Sequence, residues 1–244
     1  MATLMPTVGL PEGTRACLFD VDGVLTQTAK VHARAWKRVF DDYLRERAQR
    51  AGEPFAPFEL QDYTRYVDGR LRADGARTFL GSRGIHLSED EIVAITSRKD
   101  ELFLDVLHNE PVEAYEGSIR FVRAVREAGL RTAVVSASKN CEAVLASAGI
   151  SDLFDVRIDG KVAAAEHLAG KPAPDTFVAA AHAVGVDEQH AAVFEDALAG
   201  VEAGRAGHFG YVVGVDRAGQ SNALREHGAD VVVTDLATLL EGPR

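Results

Sequence analysis

The order of apolar and polar residues divides the first half of the chain into one short strand and a long helical stretch. Residues 16–21 form an apolar run between turn residues, which predicts a buried strand. From about Lys30 the period changes. Apolar residues recur every four positions from Val31 to Tyr43, and this spacing predicts a long amphipathic helix that ends near Gly52. The whole stretch 30–109 has a helical pattern.

After Pro111 the pattern alternates between strands and helices. The apolar segments "RTAVVSAS", "FDVRI", "AAVFED", "YVVGV" and "ADVVVTD" are each separated by a segment with helical spacing. Such alternation is typical of βαβ units and a parallel sheet. We therefore predict an α/β fold in which a Rossmann-like parallel sheet core is formed by residues 1–29 and 110–244. Residues 30–109 are predicted to form an all-helical domain inserted into it.

Polar residues that could bind a ligand or take part in catalysis follow several of the predicted strands. They are Asp20, Asp22, Ser136, Ser138, Lys139, Asn140, Lys171, Glu195 and Asp196. In open parallel sheets, ligands bind beyond the carboxyl ends of the strands, so these residues should meet at one edge of the sheet. A mixture of carboxylates, hydroxyls and lysine at that edge favours an anion-binding site over a plain solvent-facing edge.

The carboxylates at this edge suggest a metal ion. Asp20 and Asp22 are one residue apart and repel each other, and the repulsion falls if a cation binds between acidic strand ends. Asp20, Glu195 and Asp196 offer the hard oxygen ligands that suit Mg²⁺, with water completing the coordination. The alternatives are ordinary turn chemistry for the aspartates, or a calcium loop. The calcium loop fits poorly because Gly23 follows Asp22 directly and a strand precedes it.

Composition narrows the classes of partner. The 244 residues carry a net charge of -10, which disfavours nucleic acid or an anionic membrane as a partner. Cys17 and Cys141 lie in different segments and fit buried free thiols better than a disulfide or metal pair. With neither a secretory leader pattern nor a long apolar run, we expect a cytoplasmic protein.

Four motifs taken together resemble the haloacid dehalogenase superfamily of phosphotransferases. They are "FDVDGVLTQT", Ser136 after an apolar strand, "KPAPD" and "FEDALAGVEAG", in the family order. The helical insertion after the first motif resembles the class of this superfamily that carries a helical cap. The acidic second position and the acidic pair set the chain apart from true dehalogenases, which need no metal.

The resemblance implies a role for each motif residue. Asp20 would be the nucleophile that forms an aspartyl-phosphate, and Asp22 the general acid/base. The residues implied to hold the phosphoryl group are Thr28, Ser136, Ala137 and Lys171. The residues implied to hold Mg²⁺ are Asp20, Asp22 through its main-chain carbonyl, Glu195 and Asp196.

A narrower resemblance is to the β-phosphoglucomutase-like family, through "TAKVHARAWK", "SASKN", "GKPAPDTFVAAAHAVGV" and "FEDALAG". It implies conversion of β-glucose 1-phosphate to glucose 6-phosphate through a bound 1,6-bisphosphate, by a protein expected to be a monomer. The implied substrate-binding residues are His32, Arg70, Lys99, Ser138, Lys139 and Asn140. The segment "RYVDGRLR", which contains Arg70, differs from the "KGVSR"-like loop that is usual in the family, so the resemblance does not extend to the contact between cap and sugar.

Two other functions stay open on the sequence alone. A sugar-phosphate phosphatase shares the first chemical step, but water then attacks the aspartyl-phosphate and no second phosphate pocket is needed. A non-catalytic sugar-phosphate-binding module is more remote, because binding alone needs no acid/base beside a nucleophile. Arg70 also has a purely structural alternative, as a solvated arginine near Arg65 and Arg72.

Overall fold

The computed structural model describes residues 8–240, and these contain a parallel sheet of six strands. The strands are β1 (Ala16–Phe19), β2 (Arg131–Val135), β3 (Val156–Ile158), β4 (Ala191–Glu195), β5 (Tyr211–Val215) and β6 (Val231–Val233). Their order across the sheet is β3-β2-β1-β4-β5-β6, and every pairing is parallel. The predicted α/β class and Rossmann-like sheet are confirmed.

Helices connect the strands and fill the long insertion after β1. They are α1 (Ala29–Ala51), α2 (Leu60–Asp62), α3 (Arg72–Ser82), α4 (Glu89–Asn109), α5 (Glu116–Glu127), α6 (Cys141–Ser147), α7 (Gly160–Ala165), α8 (Asp175–Ala183), α9 (Leu198–Ala206) and α10 (Ser221–Glu226). A π-helical turn, Tyr63–Val67, follows α2. We call residues 29–109 the cap and the remaining described residues the core. The domain boundaries themselves stay a prediction.

The cap has its own apolar cluster. Phe40 lies at its centre, with ring centroids 5.0 Å from Phe58 and 4.5 Å from Phe79. Helix α1 ends as its sequence predicts, because Gly52 takes the left-handed conformation with φ 69° that terminates helices. This cluster lets the cap helices bury an apolar face without using the sheet.

Successive side chains of β1 pack on opposite faces of the sheet. Phe19 packs into the cluster on one face and stacks on Phe194 with 4.5 Å between ring centroids, whereas Leu18 belongs to the cluster on the other face. Both strand faces are therefore apolar, which explains the unbroken apolar runs of the core strands. The thiols of Cys17 and Cys141 are free and buried, as the sequence predicts.

The strand order fixes where the site can lie. β1 is central, with β2 on one side and β4 on the other. Because all three run parallel, the residues that follow them meet at one edge of the sheet. Among the residues described, none of the helices is both long enough and apolar enough to cross a membrane.

Candidate active site

Asp20 is the first residue beyond β1 and lies at the centre of the site. Its main-chain N–H donates to the carbonyl of Phe194, which continues the pairing of β1 with β4. One carboxylate oxygen, Oδ2, accepts the N–H of Asp22 at 2.9 Å, and the other, Oδ1, accepts Lys171 Nζ at 2.5 Å. The carboxylate is therefore held in one orientation at the end of a rigid strand.

Lys171 joins two buried carboxylates. Its ammonium contacts Asp20 and also donates to Glu195 Oε1, and the three side chains are almost fully buried. Burial raises the pKa of Asp20 well above its usual range, with Lys171 opposing the shift and Glu195 adding to it. Burial alone would lower the pKa of Lys171, but the two carboxylates raise it above its ordinary value, so the ammonium stays charged.

Asp22 is contacted by two side chains, one just before the cap and one in its first helix. The hydroxyl of Thr28 donates to its carboxylate, and His32 Nε2 lies 3.3 Å from the same oxygen. Burial alone would raise the pKa of Asp22, but the His32 imidazole, the Thr28 hydroxyl and the more distant Lys99 together lower it to about 2. Asp22 is thus an ionised carboxylate, able to accept a proton.

A chain of basic groups extends from Asp22 into the cap. Lys99 Nζ lies 2.5 Å from Nδ1 of His32, whose ring stacks on Phe103. Burial and the nearby guanidinium of Arg72 lower the pKa of Lys99 to about 7. Burial and Lys99 also lower the pKa of His32, so the imidazole is neutral near pH 7. Of the two predicted cap residues, His32 therefore lies next to Asp22, and Lys99 contacts the far side of the His32 ring.

The two acidic residues at the end of β4, Glu195 and Asp196, make different contacts. Both carboxylate oxygens of Glu195 are engaged, one by Lys171 and the other by the N–H of Ala197 at 2.9 Å. Asp196 instead lies against the turn after Asp22. A Cβ built on Gly23, whose φ is 95°, would lie 1.8 Å from Asp196 Oδ2, so only glycine fits this turn.

The donor set at this edge fits a hard cation. Burial, followed by the like charges of Asp68 and Glu195, raises the pKa of Asp196 well above its usual range. Burying a charged carboxylate costs free energy unless a cation lies nearby. Among residues 8–240 no group of three or more His, Cys, Asp or Glu side chains is arranged as a metal site. Mg²⁺ commonly needs only one or two carboxylates with waters, and Asp20 and Asp196 meet that requirement.

One pocket lies between the core edge and the cap. Its lining consists of Asp20, Asp22, His32, Trp36, Tyr63, Val67, Asp68, Gly69, Arg70, Arg72, Lys99, Ala137, Ser138, Asp196 and Ala197. Eight of the residues singled out from the sequence are among them. Thr28, Ser136, Lys139, Asn140, Lys171 and Glu195 are not in the lining. Of these six, Lys139 is exposed and Thr28, Ser136, Lys171 and Glu195 are buried behind the surface.

The cap closes on the core through the turn between the π-helical segment and α3. Gly69 has φ 71°, and a Cβ built there would lie 2.8 Å from Cβ of Ala197. A Cβ built on Gly170 would likewise lie 2.4 Å from the side chain of Leu71. At these two points the cap and the core are in close contact beside the pocket.

The sequence did not point to three ionisable side chains of the pocket: Arg72, Asp68 and Tyr63. Arg72 was treated only as a neighbour of Arg70, yet both arginines line the pocket. The guanidinium of Arg72 is 16% exposed and lies 2.7 Å from Asp100 of α4. The signal for a second cap arginine was present in the "GRLR" spacing.

Asp68 and Tyr63 add an acidic group to the cap wall. Burial raises the pKa of Asp68 to about 7, helped by the charges of Glu195 and Asp22, although a hydrogen bond from Tyr63 opposes the shift. Burial also raises the pKa of Tyr63 well above its usual range. Asp68 lies in the loop "RYVDGRLR" that differs from the family pattern, and Tyr63 precedes that loop; neither residue had another signal in the sequence.

A loop after β5 supports the acidic loops from behind. Arg217 Nε donates to the carbonyl of Gly23 at 2.8 Å, and Gln220 Nε2 donates to the carbonyl of Asp196 at 2.9 Å. The guanidinium of Arg217 also lies 3.6 Å from the ring centroid of Tyr115. One loop thus fixes the backbone on both sides of the Gly23 and Asp196 contact.

Comparison with known proteins agrees with this architecture. The family model for haloacid dehalogenase-like hydrolases matches residues 14–208. A β-phosphoglucomutase of Mycobacterium bovis is 50% identical over 96% of this chain and 94% of its own length. The validoxylamine A 7'-phosphate phosphatase of Streptomyces hygroscopicus subsp. limoneus is 29% identical over 91% of this chain and 94% of its own.

A solved structure points the same way. The crystal structure of β-phosphoglucomutase from Clostridium difficile superposes with a TM-score of 0.74 at 27% identity, covering 93% of each chain. The four motifs, the parallel sheet and these likenesses agree with one another. The chain therefore belongs to the haloacid dehalogenase-like hydrolase family, as a relative of the β-phosphoglucomutases.

Proposed function

We propose that this protein is a magnesium-dependent phosphotransferase for sugar phosphates that converts β-glucose 1-phosphate to glucose 6-phosphate through an aspartyl-phosphate and the 1,6-bisphosphate. The observation that carries the proposal is that two aspartates with different partners line one pocket. Asp20 is fixed by Lys171, whereas Asp22 faces the cap bases. The 50% identity to a β-phosphoglucomutase supports the choice of reaction.

Asp20 is the proposed nucleophile. A carboxylate oxygen of Asp20 attacks phosphorus, a new O–P bond forms, and the bond from phosphorus to the sugar oxygen breaks. Lys171 opposes the effect of burial on the pKa of Asp20 and orients the carboxylate by the 2.5 Å contact. The mutual repulsion of carboxylate and phosphate is large, about 4 kcal/mol for unit charges 4 Å apart at an effective dielectric of 20. Lys171 alone is shared with Glu195, so further positive charge is needed.

We assign that charge to Mg²⁺ held by Asp20, Asp196 and the main-chain carbonyl of Asp22. When bound, the ion supplies positive charge to the phosphoryl oxygens during transfer. Glu195 acts indirectly in this assignment, because it does not line the pocket and its two oxygens are engaged by Lys171 and Ala197. Ser136, Ala137 and Thr28 remain proposed phosphate-site residues, although the Thr28 hydroxyl is directed to Asp22.

Asp22 is the proposed proton carrier. In the phosphorylated enzyme, ionised Asp22 takes the proton from the sugar hydroxyl that attacks the aspartyl-phosphate. In the other half reaction, when Asp20 attacks the phosphate, the protonated Asp22 gives that proton to the departing sugar oxygen. His32 and Lys99 hold Asp22 in place from the cap, so proton transfer is favoured when the cap is closed.

The second phosphate of the bisphosphate needs a separate set of donors. Ser138, Lys139 and Asn140 from the core, with Arg70 from the cap, are the proposed set, and we add Arg72 because it lines the same pocket as Arg70 and Ser138. A planar guanidinium binds phosphate in a bidentate manner, which suits this position. The bisphosphate can then turn around with one phosphate in each subsite.

Phosphatase activity is the second candidate, favoured by the 29% identity to a phosphatase. Phosphorus NMR of the purified protein separates the two. With β-glucose 1-phosphate, Mg²⁺ and a trace of glucose 1,6-bisphosphate, we expect the glucose 6-phosphate signal to grow while inorganic phosphate stays flat. The α anomer and an Asp20→Asn variant serve as controls. Accumulation of inorganic phosphate at the rate of substrate loss would establish the phosphatase instead.

A further inference from the structure

Asp100 joins the cap to the core at the proposed second phosphate subsite. Its Oδ1 lies 2.7 Å from Nη2 of Arg72 and accepts the side-chain N–H of Asn140 at 2.7 Å. Arg72 begins α3 of the cap, Asp100 lies on α4, and Asn140 precedes α6 of the core. One carboxylate oxygen therefore engages a donor from each side of the pocket.

We propose that Asp100 is an internal anion that occupies these two donors when no substrate is bound and must yield them to the second phosphate. This inference rests on the proposed function, because Arg72 and Asn140 are donors of the second phosphate subsite only under that assignment. A carboxylate and a phosphate oxygen require the same donor geometry from a guanidinium and an amide. The two anions cannot share the donors without direct repulsion.

The surroundings allow the exchange. The Asp100 side chain is 27% exposed, and Oδ1 carries both contacts, so a rotation can place the carboxylate in water at little desolvation cost. Arg72 is less exposed, at 16%, and stays in the pocket lining. A dianionic phosphate competes better for these donors than a monoanion or a neutral sugar hydroxyl, so Asp100 also acts as a specificity-determining residue.

The exchange also links ligand binding to cap position. In the absence of phosphate, the hydrogen bond from Asn140 to Asp100 holds the cap against the core, while Arg72 orients Asp100 from within the cap. With phosphate bound, the ligand itself bridges Arg72 and Asn140 and takes over that task. Removing the charge of Asp100 should therefore weaken closure in the free protein but strengthen phosphate binding.

The test uses Asp100→Asn in the full chain carrying Asp20→Asn, so that no chemistry occurs during titration. Calorimetry measures the dissociation constant of glucose 6-phosphate with Mg²⁺ present. We expect Asp100→Asn to lower this constant about tenfold. Asp105→Asn is the matched control, since Asp105 is an exposed acid of the same helix. It should change the constant less than twofold.

Small-angle X-ray scattering without ligand gives a second readout that does not depend on the proposed reaction. We expect a larger radius of gyration for Asp100→Asn than for the parent and for Asp105→Asn, and a return to the parent value with glucose 6-phosphate. An unchanged or raised dissociation constant would overturn the proposal, since Asp100 would then merely orient the donors. If the protein proves to be a phosphatase while both readouts hold, only the proposed mutase reaction falls.

Discussion

Thr28→Val decides between two roles for a buried hydroxyl. The family resemblance implies that Thr28 binds the phosphoryl group, whereas the structure directs its Oγ1 to the carboxylate of Asp22. A hydrogen bond to a charged group contributes about 1.5–3 kcal/mol. If that energy orients Asp22 for proton transfer, its loss should lower kcat roughly 10- to 150-fold. KM should change little, because no contact to substrate is removed.

The assay is steady-state kinetics of glucose 6-phosphate formation across pH. The lost hydrogen bond raises the pKa of Asp22 from about 2 toward its ordinary value, so the acidic limb of kcat should move to higher pH. Thr26→Val is the matched control, because the Thr26 hydroxyl contacts Val21 and Thr28 but not Asp22. A raised KM with unchanged kcat and pH profile for Thr28→Val would refute our reasoning and restore the phosphate-binding role.

Three further predictions test the metal, the cap acid and the supporting loop. Excess chelator should abolish turnover and Mg²⁺ should restore it; full activity in chelator would remove the metal from the mechanism. Asp68→Asn should raise the melting temperature at pH 7 in chelator by at least about 2 °C, the shift that roughly 1 kcal/mol produces in a chain of this size. The reason is that the pKa of Asp68 rises from 3.8 to about 7 on folding, so its ionisation lowers the stability of the folded protein as the pH increases over that range. The increase in melting temperature should therefore vanish near pH 4. Arg217→Met should raise the Mg²⁺ concentration needed for half-maximal activity at least about threefold, because Arg217 donates to the carbonyl of Gly23. Arg225→Met is the control and should leave that concentration unchanged. Equal values for the two variants would limit Arg217 to a packing role.

The strand ends were predictable because the signals are local. An apolar run that stops at Asp20, and another that stops at Glu195, each mark a strand and the polar residue after it. The parallel order of the sheet then brings those residues together without further information. The helix that ends at Gly52 follows the same logic, since periodicity and a terminating glycine are both written in consecutive residues.

The cap side of the pocket could not be predicted in the same way, because its contacts join residues that are distant in the sequence. Arg70 follows the left-handed turn at Gly69 and Arg72 begins α3, and both side chains line the pocket. Asp100 and Arg217 act on partners 40 and 194 positions away, respectively. Such pairings follow from tertiary packing, so no spacing rule could reveal them.

The first residue of the cap, Ala29, follows directly on Thr28, and this continuity limits how such enzymes can be recombined. Asp22 receives its contacts from Thr28 and His32, and Lys99 of α4 secures His32. A chimera that grafts a foreign cap by cutting near residue 29 would therefore replace the environment of the proton carrier along with the substrate wall. Grafts that transfer the segment 22–32 together with the lysine-bearing helix should retain chemistry while changing the sugar that is accepted.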